Sequence, residues 1–191
     1  MHTNCRFLEV DGINSESEAI RWSINAAVQT RGRLVYSSES GRNAFREEWK
    51  KELRKESQRF RALQTALSDS EHCTIIGGIA DRLSSRFNSI LSGGRLRFGI
   101  SQKALNLYLK YLWHFGDIAE PPHCPFDGIA LTALNIYDAW TESDDKNEYM
   151  RWVGAARKKA GTLSISEWEC KAWLQGQVSK LPTTQRHSSC S

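Results

Sequence analysis

Apolar residues in this chain recur at three- and four-residue steps almost from end to end, and no stretch alternates with the period of a strand. From Arg42 onward, Phe45, Trp49, Leu53, Phe60, Leu63 and Leu67 keep one helical phase, so a single face of a long helix can bury them all. The same spacing places Ile20, Ile24 and Val28 on one stripe of "SESEAIRWSINAAVQ", which opens with the capping-box pair Ser15 and Glu18. It returns in "TIIGGIADRLSSRFNSIL" through Ile76, Ile79, Leu83, Phe87 and Ile90. Further helices are predicted over "SQKALNLYLKYLWHF", "DGIALTALNIYDAW", "YMRWVGAARKKAG" and "SEWECKAWLQGQVSK". The last is expected to be capped by Ser166 and Glu169. Only "GRLVYSSESG" reads as a loop or a short extended piece. Such a pattern can bury its apolar stripes only helix against helix, so the expected fold is all-α, a compact multi-helix domain.

The length of 191 residues suits one helical domain over residues 1–181, followed by a disordered tail over 182–191. Hydrophobic residues make up 40% of the chain, enough for a core. No apolar run approaches a membrane span, so no membrane partner is expected, and the first residues lack a signal-peptide pattern. The five cysteines are scattered without a CxxC pair, which points to a reduced, cytoplasmic setting. His72-Cys73 and His123-Cys124 lack zinc-ligand spacing, so neither a metal nor another cofactor is expected. The net charge of +4 permits an anionic partner without demanding one. The Lys, Arg and Glu residues on the outer face of the helix from Arg42 read as a solvated surface laced with ion pairs.

Chemistry concentrates between Arg95 and Asp127. "RLRFGIS" reads as a tight turn feeding a helix, in which Gly99 takes a positive φ or lets another backbone approach, and Ser101 caps a helix beginning at Gln102. Free amides at that helix start, with Arg95 and Arg97 before them, make a candidate phosphate site. Along the helix, Ala104, Leu105, Tyr108, Leu109 and Leu112 face inward, while Lys103, Asn106, Lys110 and His114 recur on another side. That second side is either an ordinary wet face or the lining of a cleft with Lys103 at its mouth. Pro121, Pro122 and Pro125 stiffen the approach to Asp127, a natural N-cap for "GIALTAL".

"GISQKALN" is similar to the hairpin and nucleophile-bearing helix of the 8-oxoguanine branch of helix-hairpin-helix DNA glycosylases, and "PFD" resembles the proline-hydrophobic-aspartate segment that opens that family's next helix. The matching stretch spans about a fifth of the chain, and it departs from the family pattern at Ser101, where a second glycine is usual, and at Arg97-Phe98, where Leu-Pro is usual. The resemblance implies a DNA glycosylase/AP lyase working on an oxidised purine in double-stranded DNA, with Lys103 as the Schiff-base nucleophile and Asp127 stabilising the charge that develops on the sugar. It further implies DNA backbone contacts from Arg95, Arg97, Gly99, Ser101, Gln102 and Lys110. A pocket for the flipped base would draw on Asn106, Trp113, His114 and His123. A non-catalytic nucleic-acid-binding or protein-interaction module, with Asp127 merely a cap, is the alternative that the residues leave open. A structural protein whose tryptophan-rich helices bury against each other is a further one. Histidines without an Arg shortly before them give no sign of a helical nuclease.

Overall fold

Helix follows helix along the chain because each apolar stripe finds a complementary one. The computed structural model describes residues 7–29, 35–63 and 67–178. They contain eight α-helices and no strand: α1 (Phe7–Asp11), α2 (Glu16–Val28), α3 (Arg42–Ala62), α4 (Asp69–Phe87), α5 (Phe98–Phe115), α6 (Gly128–Ala133), α7 (Lys146–Ala160) and α8 (Ile165–Val178). The extended piece expected near Val35 contributes only an isolated antiparallel bridge, Tyr36 with Leu91. The described residues thus form an all-α, multi-helix domain, and the tail expected over 182–191 lies outside them. None of the described helices is long and apolar enough to cross a membrane.

α5 is the centre. It packs against α2, α3 and α4, and from Phe98 to Trp113 every residue except Lys103 is buried. The second side, read as a wet face or a cleft lining, is an interior polar seam in which Asn106 and Lys110 are satisfied by other segments rather than by water. The helix stops where Gly116 takes φ 83°, and the amides of Gly116 and Asp117 close back on Trp113 and Leu112. Ion pairs lace the outer face of α3, as its mixed charges suggest, including Lys50–Glu47 at 2.6 Å and Arg82–Glu52 at 2.7 Å.

Several boundaries differ from the sequence reading. α3 ends at Ala62, so Leu63 and Leu67 leave its phase, and Ser68 with Glu71 forms a full capping box that starts α4. α6 is only six residues long. At the start of α8 the reciprocal bonds are made by Ser164 and Glu167, not by Ser166 and Glu169. Ser166 donates instead to the Pro121 carbonyl at 3.3 Å, and Glu169 turns into the core toward Lys110. A two-residue slip of a capping pattern is invisible without the packing that assigns those side chains elsewhere.

Candidate active site

Two local structures bring the lysine and the aspartate together. Lys103 lies in the second turn of α5, on the one partly open position between Phe98 and Trp113. Asp127 is the N-cap of α6: its Oδ1 accepts from the amides of Ile129 at 2.9 Å and Ala130 at 3.2 Å. Its Oδ2 accepts from Lys103 Nζ at 2.5 Å, with the side chains 12% and 18% exposed. Burial pushes the Asp127 carboxyl up, but the Lys103 charge and hydrogen bond, with the two amides, outweigh it and hold the group below its usual range. It is therefore a fixed anion. The ring of Trp140 lies 5.1 Å from Lys103 Nζ and covers it from another side.

The pair opens into a cavity of about 180 Å³ whose lining includes Phe7, Asp11, Trp22, Lys110, Glu169 and Trp173. Lys110 and Glu169 form a buried ion pair at 2.6 Å, with Lys110 Nζ also 3.9 Å from the Phe7 ring centre. Burial raises the Glu169 carboxyl, and the adjacent Lys110 only partly offsets that. Asp11 is raised as well, again by burial, although Tyr111 donates to its Oδ2 at 2.6 Å and Lys110 lies nearby. Two ammonium groups and three carboxyl groups leave no positive excess for a phosphate. Aromatic walls at Phe7, Trp22 and Trp173, with carboxylate acceptors beside them, suit one flat ring carrying N–H donors. The space is below the roughly 300–1,000 Å³ of pockets that enclose drug-sized ligands, so it fits a single ring system.

The other residues singled out in the sequence divide into three groups. Asn106, Gln102 and His123 are fully buried behind the pair, in a network that includes His72, Tyr149 and Asp69. None of these three reaches a ligand in the cavity. Trp113 and His114 sit at the far end of α5 with rings 4.7 Å apart, and His114 is 5.2 Å from the Phe7 ring. Neither lines the cavity.

The turn before α5 holds the third group. Its positive φ values belong to Gly93 and Gly94, whereas Gly99 is helical and serves as a point of close approach. A Cβ there would meet the Trp140 carbonyl oxygen at 1.7 Å. The Gly99 amide donates to Ser143 O at 2.9 Å and the Phe98 amide to Asp144 Oδ1 at 3.0 Å. Arg95 reaches the Asp144 carboxylate at 3.4 Å and Arg97 is hydrogen-bonded to it. Asp144 thus sits where a phosphate was expected. Ser101 is no cap, since the helix already begins at Phe98, and its hydroxyl donates to Ile76 O at 2.9 Å. Lys110, expected on DNA, is 2% exposed and committed to Glu169.

Sequence reasoning missed Phe7, Asp11, Trp22, Glu169 and Trp173. One signal was present for Trp22, which lies off the Ile20–Ile24 stripe of its helix and is 43% exposed. Glu169 and Trp173 are four residues apart on α8 and so share a face, but nothing in the sequence says that this face meets α5. Among the described residues Cys73 and Cys124 are buried free thiols. Among the described residues no group of three or more His, Cys, Asp or Glu side chains is placed to hold a metal ion. Compared with protein-family models, curated proteins and solved structures, the chain gives no match.

Proposed function

We propose that this protein is a DNA glycosylase/AP lyase of the helix-hairpin-helix type, excising an oxidised purine through a Schiff base on Lys103. The observation that carries the reading is the meeting of Lys103 and Asp127 at 2.5 Å on the wall of an aromatic cavity. A lysine and a carboxylate 24 positions apart in sequence need not meet. Had they pointed to opposite sides of the molecule, this chemistry would have been impossible.

A flipped nucleotide would bring its base between the aromatic walls and its sugar to Lys103. A lysine attacks only as a neutral amine, so the ion pair opens and the ammonium releases a proton to solvent before the bond forms. The amine nitrogen then bonds to the anomeric carbon as the glycosidic bond breaks, and the base leaves with the bonding electron pair and takes up a proton. Asp127, held as an anion, stabilises the positive charge developing on the sugar. Ring opening yields the protonated Schiff base, and loss of an adjacent sugar proton expels the 3′ phosphate by β-elimination. The N–H edge of the base would face Asp11 and Glu169, whose Oδ1 and Oε1 atoms accept no hydrogen bond from the described residues. Arg95 and Arg97 remain partly exposed and would grip the DNA backbone with side chains, exchanging Asp144 for phosphate.

Borohydride trapping tests this on duplexes carrying 8-oxoguanine or an abasic site. The expected result is a covalent adduct on both with the wild-type protein, and none with Lys103→Gln. An absence of adducts despite salt-sensitive binding would refute the enzyme reading and leave the non-catalytic module.

A further inference from the structure

We infer that Gln102 is a positioning residue for Asp127, clamping the aspartate's segment to the helix that carries Lys103. The inference rests on the reading of Lys103 and Asp127 as the reacting pair, and adds the device that sets their separation.

Gln102 precedes Lys103 on α5 but faces inward and is fully buried. Its side-chain amide pairs with the backbone of Phe126, the residue before Asp127, as one peptide pairs with another. Nε2 donates to Phe126 O at 2.6 Å, and Oε1 accepts from Phe126 N at 3.2 Å. Two parallel bonds from one planar group fix orientation as well as distance, which one bond does not. One turn along α5, Asn106 Nδ2 donates to Gln102 Oε1 at 3.1 Å and to Cys124 O at 2.9 Å. Two side chains one turn apart on the lysine helix thus hold the Cys124–Phe126 backbone.

The clamp is itself held. Asn106 must turn its amide nitrogen toward Cys124 O, so its Oδ1 faces His72 Nε2 at 2.7 Å, and His72 carries its proton there. The Tyr149 hydroxyl lies 3.0 Å from Asn106 Nδ2, which shares its two hydrogens among three acceptors, and donates to His123 Nδ1 at 2.9 Å, while His123 Nε2 donates to Asp69 at 3.0 Å. Arg157 anchors Asp69 from outside through two bonds, at 2.5 and 2.6 Å. The Phe126 carbonyl and amide, with Asn106 Nδ2 beside Oε1, leave the Gln102 amide a single satisfied orientation. The physical reason for so much buried polarity is that the Pro121–Pro125 loop has no regular backbone partner, and side chains of α5 supply one.

The test is a double-mutant cycle with Gln102→Met, which conserves shape and removes both bonds. Single-turnover base release is measured for Gln102→Met, Asp127→Asn and the double variant. Gln102→Met is expected to slow release roughly 10- to 100-fold in the wild-type background, as small misplacements of reacting groups do. In the Asp127→Asn background it is expected to have almost no effect. The acid limb of its pH–rate profile should also move upward as Asp127 loses its fixed distance from Lys103. An equal loss in both backgrounds, or one uniform across pH, would overturn the inference in favour of a merely structural role. If Gln102→Met does not fold, amide exchange in the intact protein decides. Phe126 N–H should exchange as slowly as the most protected amides of α5, and fast exchange overturns the clamp. Failure of wild-type trapping would sink the glycosylase reading instead, and is visible before any variant is made.

Discussion

Gly99→Ala should detach the Trp140–Asp144 segment from the start of α5. A Cβ at this position would sit 1.7 Å from the Trp140 carbonyl oxygen and 2.9 Å from its carbon. Ordinary carbon–oxygen contacts lie at about 3.3–3.6 Å, so the segment must retreat by roughly 1.5 Å or more. The obstacle is backbone and cannot swing aside. Retreat strains or breaks the Gly99 N–Ser143 O bond at 2.9 Å and the Phe98 N–Asp144 bond at 3.0 Å. A neutral bond contributes about 1 kcal/mol and one to a charged group about 1.5–3 kcal/mol. Alanine returns about 1 kcal/mol as the better helix former. The net destabilisation expected is about 1.5–3 kcal/mol. Urea unfolding reads it: with a slope of about 1–3 kcal/mol per molar, the midpoint falls by about 0.5–3 M. Because Trp140 also covers Lys103, its fluorescence environment should change under native conditions. A Gly99→Ala protein within about 0.5 kcal/mol of wild type would refute the close approach as the reason for glycine here.

Two further outcomes concern buried charge. Burial, reinforced by neighbouring His123, holds His72 neutral by lowering it from 6.5 to about 3. Between those values the unfolded chain binds a proton that the folded one refuses, so stability is full above about pH 6.5 and falls as pH drops toward 3. The loss attributable to His72 is about 2 kcal/mol between pH 7 and 5, and His72→Phe should flatten that slope in urea titrations. A wild-type stability unchanged over this range would contradict it. Lys110→Met strands Glu169 in the core and should cost about 3–5 kcal/mol, whereas Lys110→Met with Glu169→Leu should recover most of it. Equal instability of the single and double variants, compared by thermal melting, would show that packing and not the stranded charge sets the cost.

Local rules of the chain determined its helices, because helical phase and caps are written within a few residues of each other. Ser15 with Glu18, Gly116 and Gly161 mark helix ends where the pattern places them, and Asp127 caps α6 as its position after the prolines predicts. The pairing of Lys103 with Asp127 was legible too, but only through a resemblance of short motifs; spacing alone brings no two helices together. What the fold alone decided is which polar side chains are wet. Asn106 and Lys110 share the helical phase of Lys103, yet only Lys103 stays partly open, because α7, α8 and the proline loop bury the other two, Lys110 reaching the cavity wall already paired with Glu169. The same holds for Asp144, which fills the position where Arg95, Arg97 and the first amides of α5 were expected to receive phosphate. Whether a charge meets solvent, a ligand or another charge depends on contacts between segments tens of residues apart, and helical periodicity carries no information about those.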